Sequence, residues 1–276
     1  MTKLLFWLLV LGLLPIAPST ATPLNDQRTL QQHFLTQFPT LSRQDFANGV
    51  YALDPDAKQS WLAIEQFPPY EIAIDRGKKN FFTPFKNGQR YQDCFVDYQQ
   101  GISQHYPYWD LKTKTVVTLS QAINRCRQLN LEAPLKPTAG DLIALTAYLA
   151  FLSRDQSIAI TIPPVPAAQA AYQQGKNYYH QRRGQLNFSC ASCHIQNAGK
   201  RLRTETLSPL LGQTSNWPTY RLKWGRVGTL HQRIIGCHKQ IRATPPALQS
   251  EVLRNLEYYM SYLSNGLPLN GPSVRK

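Results

Sequence analysis

At 276 residues the chain is long enough for one or two domains, and with 42% hydrophobic and 17% charged residues it has a globular composition, not a disordered or fibrous one. Thirty Lys and Arg against 16 Asp and Glu give a formal net charge of +14. No nucleic-acid-binding motif accompanies that charge, so it points to anionic substrates or acidic protein partners instead of nucleic acid.

The N-terminus reads as a secretory signal: Lys3, an apolar run from Leu4 to Leu14, and the small residues Ser19-Thr20-Ala21 as a cleavage site. Pro15 and Pro18 interrupt the run, which argues against a membrane anchor and for removal of residues 1–21, with no membrane span in the mature chain. Residues 22–70 read as an N-terminal extension packed on a first domain. Within it, Leu30, Phe34 and Phe38 share one face of a predicted helix over 27–38, and a second helical piece over 61–67 ends at Pro68-Pro69.

From residue 77 the chain repeats itself. Gly77-Lys-Lys-Asn-Phe-Phe82 has a counterpart in Gly175-Lys-Asn-Tyr-Tyr179. Cys94 follows the first and Cys190 the second, and a lone Cys then lies in a basic helical segment, Cys126 and Cys237. Each pass closes with an amphipathic helix, striped by Leu142, Leu145, Leu149 and Leu152 and by Leu253, Leu256, Met260 and Leu263. One offset, 111, relates Cys126 to Cys237 and all four stripe pairs. The Pro-rich run Thr161 to Pro166 separates the passes. The expected fold class is all-α, with two tandem domains: an extension and first domain over 22–165, and a second domain over 166–276. Ser250 is the expected N-cap of the last helix and Gly266 its stop.

The motif Cys190-Ala-Ser-Cys193-His194 makes the expectation more specific: two tandem class I cytochrome c-like domains. In C-x-x-C-H the two thiols add to the haem vinyl groups, and the His binds iron as proximal ligand. A zinc site would need a second pair of ligands at comparable spacing, and none follows. Aligning Cys94 with Cys190 puts Asp97 and Tyr98 where the second pass has Cys193 and His194. The first domain is therefore expected to carry no haem, and the protein one covalently bound c-type haem. Export and haem attachment outside the cytoplasm together place the protein in the periplasm, where a disulfide persists. Cys94 and Cys126 are the expected pair, with two buried thiols as the alternative. The second axial ligand is open among Cys237, His180, His231, His238 and Met260. The repeat favours Cys237, since it occupies the position of Cys126. Arg233, one turn before Cys237 in a segment that also holds Arg221, Lys223, Arg226, Lys239 and Arg242, is a candidate for a bound oxyanion or for haem propionates.

Four stretches together resemble a known family: the Cys190–His194 motif, Trp217-Pro-Thr-Tyr-Arg-Leu-Lys-Trp224, Arg233-Ile-Ile-Gly-Cys237, and Leu256-Glu-Tyr-Tyr-Met-Ser-Tyr-Leu-Ser-Asn-Gly266. The family is SoxA, the cytochrome subunit of the SoxAX complex of bacterial thiosulfate oxidation. Some members carry two haems; Asp97 and Tyr98 make this chain resemble the single-haem type. The resemblance implies L-cysteine S-thiosulfotransferase activity, in which thiosulfate is joined oxidatively to a cysteine of SoxY in the SoxYZ carrier. It further implies Cys237 as haem ligand and catalytic sulfur, carried as a persulfide, and Arg233 as the thiosulfate-binding residue. SoxX is the implied partner subunit, and a downstream cytochrome c the electron acceptor. Two other readings are an electron-transfer cytochrome with Cys237 as ligand only, and a thiosulfate dehydrogenase forming tetrathionate; the single haem motif counts against the second.

Overall fold

The computed structural model describes residues 22–138 and 140–276; the expected signal peptide lies outside them. The first half runs α1 (Pro23–Gln37), a 3-10 stretch (Gln44–Ala52), α2 (Pro55–Ile64), α3 (Glu71–Phe82), α4 (Tyr91–Cys94), β1 (Tyr108–Asp110), β2 (Thr115–Val117), α5 (Leu119–Leu129) and α6 (Asp141–Leu152). The second runs α7 (Pro166–His180), α8 (Cys190–His194), β3 (Arg201–Leu202), β4 (Glu205–Thr206), β5 (Thr219–Arg221), β6 (Arg226–Gly228), α9 (Leu230–Gln240), α10 (Glu251–Leu263) and β7 (Ser273–Arg275). The fold is helix-rich but not all-α. Hairpins β1–β2 and β3–β4 and a three-stranded sheet of order β6-β5-β7 join the helices. These strands have two or three residues each, too short for a period-2 pattern to register in the sequence.

The doubling reaches well beyond the cysteines. A shift of 111 carries β1–β2 onto β5–β6 with the same register, Tyr108↔Val117 onto Thr219↔Gly228. The same shift carries the capping box of α5 (Thr118 with Gln121) onto that of α9 (Thr229 with Gln232), each satisfying two orphan N–H groups. In both halves a long helix crosses the last one at a glycine, α3 on α6 and α7 on α10. A Cβ on Gly77 would sit 2.0 Å from the Ala144 carbonyl oxygen, and one on Gly175 2.0 Å from that of Asn255.

Helix α8 corrects the alignment of the haem motif with its first-half counterpart. Arg90 and Asp93 form the capping box of α4, and Ser189 and Ser192 that of α8. Matching the caps puts Tyr91 at the place of Cys190, Cys94 at that of Cys193, and Phe95, not Tyr98, at that of His194. Pairing the first cysteine of each half misses this by three residues, although Cys94 lies 17 residues after Gly77 and Cys193 lies 18 after Gly175.

The halves interlock. Val116 of β2 is buried in the core of the second half, while its counterpart Val227 of β6, with Val274 of β7, is buried in the core of the first. Residues related by the same shift line a cavity of about 100 Å³ at the junction, among them Ser103 and Thr214, Thr118 and Thr229, and Ala150 and Ser261. Helix α6 is buried at every residue from Leu142 to Ala150, so it is a two-sided core helix and not the amphipathic one its stripe implied. It meets α3 on one side and this junction on the other.

The N-terminal extension also differs from expectation. Leu30, Phe34 and Phe46 belong to the core of the second half, and Asp26 takes Lys176 at 2.7 Å. Only the part around Trp61, Ile64 and Tyr70 packs on the first half. α1 starts at Pro23, favoured at N1, and α2 at Pro55 behind the Asp54 cap, both earlier than their apolar residues suggest. At the other end, Ser250 caps α10, but the helix stops at Leu263 with Ser264 as C-cap; Gly266, at φ +82°, lies two residues on.

Candidate functional site

Helix α8 is one turn of CASCH whose start is held by Ser189: its Oγ accepts from the Ser192 amide at 3.0 Å. Cys190 and Cys193 are three residues apart on that turn, which brings both thiols to one side. His194 follows. Its Nδ1 donates to the Ser208 carbonyl at 2.8 Å, and the His194 carbonyl accepts from the Leu210 amide at 2.8 Å. That bond leaves Nε2 as the free nitrogen and fixes the plane of the ring. Burial is the main force on the site: it drives His194 down to about 4 against the pull of Ser208, with Arg233 lowering it further.

Helix α9 supplies the facing groups. Arg233 and Cys237 lie four residues apart on it, with Gly236 between them. The space beside Gly236 is open, the nearest atom to a Cβ there being Arg233 Nη1 at 3.8 Å. Burial pushes the Cys190 thiol up to about 12, and next in size is repulsion from Cys237; Cys193 is raised by the same two causes. Tyr179 of α7, fully buried and donating to Gln213 Oε1 at 3.1 Å, is also raised by burial and then by Cys190, Tyr259 and Cys237. The three half-buried free thiols and Tyr179 are thus within electrostatic reach of one another, as Arg233 is of His194. Of the wider basic segment, Arg221 also belongs here. Burial and then Arg233 depress it to about 10, and its Nε is buried without a partner. Arg226 instead reaches Thr138 and Trp224, and Arg242 reaches Gln185.

The other candidate ligands are engaged elsewhere. Met260 is a core residue, 3% exposed. His180 Nε2 bonds the Tyr259 hydroxyl at 3.2 Å, and His238 is held between Tyr178 and the Ile234 carbonyl. His231, 1% exposed, faces Glu257 at 2.9 Å in the junction between the halves. In the first half, aromatic rings cluster at the corresponding place: Phe81 packs on Tyr91, Phe95, Tyr98 and Tyr148 at centroid distances of 4.8–6.5 Å. Cys94 and Cys126 are joined there as a disulfide.

The second half fits a haem. It offers two thiols one turn apart, an imidazole with Nε2 free, a sulfur on a facing helix, and an unpartnered buried guanidinium nitrogen of the kind an anionic group satisfies. The first half lacks the His and one of the thiols. Sequence reasoning missed Ser208, Tyr179 and the Ser189 cap. Only Ser189-x-x-Ser192, a polar pair at capping spacing, was legible beforehand.

Helix order and site together define a two-domain cytochrome c. A family model described as the SoxA/TsdA cytochrome c domain matches residues 76–158 and 174–269. The chain is 51% identical to the L-cysteine S-thiosulfotransferase subunit SoxA of Allochromatium vinosum over 95% of its own length and 94% of that protein's. It is 45% identical to the subunit of the same name from Chlorobaculum tepidum, over 91% and 87%. The crystal structure of SoxXA from P. pantotrophus superposes with a TM-score of 0.72 at 28% identity, covering 79% of this chain and 84% of that one. The chain belongs to the SoxA family of cytochromes. Among the described residues no helix is long and apolar enough to cross a membrane.

Proposed function

We propose that the protein is the catalytic cytochrome of a thiosulfate-oxidising complex in the periplasm. In this reading it joins thiosulfate to a cysteine of the SoxY carrier, in complex with SoxX. Residues 22–165 form the extension and a haem-less cytochrome domain, and residues 166–276 the domain that binds one haem. Cys190 and Cys193 would hold that haem covalently, and His194 and Cys237 are the residues that would bind its iron. The placement of Arg233 one turn from Cys237, beside the haem-motif cysteines, carries the reading.

The balance of the reaction is simple. The carrier thiol and the sulfane sulfur of thiosulfate form one S–S bond, and one proton and two electrons are released. Haem, when bound, would supply the first acceptor for those electrons, with SoxX and a downstream cytochrome c as further acceptors. The chain's own residues do the rest. Arg233 binds the sulfonate oxygens through charge-assisted hydrogen bonds. Cys237, carried as a persulfide, holds the sulfur that exchanges with substrate and carrier. The open space at Gly236 gives that sulfur room. Tyr179 and the α7–α10 crossing keep the surroundings dry, which strengthens the Arg233 interaction.

Replacement Cys237→Ala, with thiosulfate and reduced SoxYZ supplied, tests this. Loss of carrier conjugation with haem still attached through Cys190 and Cys193 is expected. Undiminished conjugation would show that Cys237 is not the catalytic sulfur.

A further inference from the structure

The internal repeat provides its own control for what the second half has gained. Cys193 stands 99 residues after its counterpart Cys94, yet Thr214 stands 111 after Ser103. Twelve residues have therefore been added between them, and they hold the β3–β4 hairpin. The first half has no such element.

The base of this addition is fastened on three sides. Gln37 donates to the Ala198 carbonyl at 3.1 Å, Gly199 lies so close to Phe38 that a Cβ would come within 2.9 Å of it, and Thr206 Oγ1 donates to Asp54 at 3.3 Å. Its stem provides the Ser208 carbonyl that orients His194. The tip is free: every residue from Lys200 to Glu205 is exposed. It carries Lys200, Arg201 and Arg203 against the single carboxylate of Glu205, and no salt bridge among the described residues uses any of the three cations. Leu202, 55% exposed, lies among them. Arg203 adopts φ +58° in the two-residue turn between Leu202 and Glu205. Gly or Asn would fill that position with less backbone strain. The turn thus keeps a charge where backbone conformation favours a neutral residue.

We propose that this hairpin is the docking surface for an acidic redox protein that takes electrons from the site held by His194. The inference rests on the reading of that site as a haem centre. A convex tip encloses nothing, so it suits an extended acidic surface better than a small anion. Its rigid connection to the His194 partner Ser208 brings such a surface to the His194 side of the site, away from the residues of α9 assigned to sulfur chemistry. Opposed charge patches of this kind raise encounter rates and lose their effect as salt screens them.

The test uses the protein purified with its small cytochrome subunit. The variant combines Lys200→Glu, Arg201→Glu and Arg203→Gly, the last relieving the turn. The probe is a zinc-substituted acidic c-type cytochrome, which can dock but cannot take an electron, with a basic c-type cytochrome as control. Wild type should bind the acidic probe at low ionic strength, and the variant should bind it at least about tenfold more weakly with a flatter salt dependence. Oxidation of the reduced haem by the same acidic cytochrome in its ferric form should slow in parallel. Equal binding by wild type and variant, or a wild-type preference for the basic cytochrome, would overturn the proposal. So would loss of the small subunit from the variant, which would make the hairpin an assembly contact. The two failures are separable: a wild-type protein without a haem spectrum would refute the site reading, whereas a normal spectrum with unchanged binding would refute the docking surface alone.

Discussion

The crossing of α7 and α10 at Gly175 gives the sharpest quantitative prediction. In an open helix interior, Gly→Ala stabilises by about 1 kcal/mol, since Ala loses less backbone entropy. At Gly175 the added methyl would stand 2.0 Å from the Asn255 carbonyl oxygen and 2.9 Å from Tyr259 Cβ, whereas ordinary contact begins at 3.4 Å. The closest obstacle is backbone, so no rotamer change relieves it, and the helices must separate. Overpacking of this kind costs about 1–3 kcal/mol and more when backbone is forced to move. We expect Gly175→Ala to destabilise by about 2 kcal/mol or more after the propensity gain is subtracted. Tyr172, Tyr179 and Tyr259 pack in the same crossing, so the Soret band should respond as well. Gly236→Ala is the control, because its nearest neighbour is 3.8 Å away. Guanidinium unfolding followed at 222 nm and in the Soret band should give opposite signs for the two variants. A Gly175→Ala protein as stable as Gly236→Ala would refute the argument that close helix approach makes this glycine necessary.

Three further outcomes follow from the same structure. Replacing Cys94 and Cys126 with Ser opens a loop spanning 32 residues and should cost about 3–4 kcal/mol of unfolding free energy, with haem content by pyridine haemochrome unchanged. Ser189→Ala removes the cap of the haem-motif turn and should cost about 1 kcal/mol, lowering the yield of haem attachment seen by intact mass. Burial pushes the Asp110 carboxyl up, but hydrogen bonds from Thr113, Arg125 and the Lys112 amide outweigh it and hold it at about 2. Its contribution to stability is therefore present above the unfolded value near 3.8 and lost as pH falls from there towards 2. Acid titration of Asp110→Asn should show a shallower loss of stability across that window than wild type.

Much of the candidate site was legible because the spacing of its residues is local. Cys190, Cys193 and His194 are set by covalent spacing on a single turn, and Arg233 and Cys237 by the four-residue period of one helix. The pairing of Cys94 with Cys126 needed only the repeat. Ser208 was not legible, since a backbone carbonyl leaves no mark on residue type. Nor was Tyr179, one of 14 tyrosines, whose place beside the thiols comes from the angle at which α7 crosses α10.

The sequence by itself determined that the protein is a doubled, helix-rich cytochrome with one intact haem motif, because helical periodicity, a repeat offset and attachment spacing are written along the chain. Tertiary structure alone decided how the halves use one another. Val116 and Val227 exchange cores, α1 packs on the second half although it precedes the first, and α6 is buried on both sides. The strands are too short to declare themselves, and the burial of each of these residues depends on surfaces distant in sequence. The same holds for the first half, where matched helix caps, not matched cysteines, show that Phe95 stands in the place of His194.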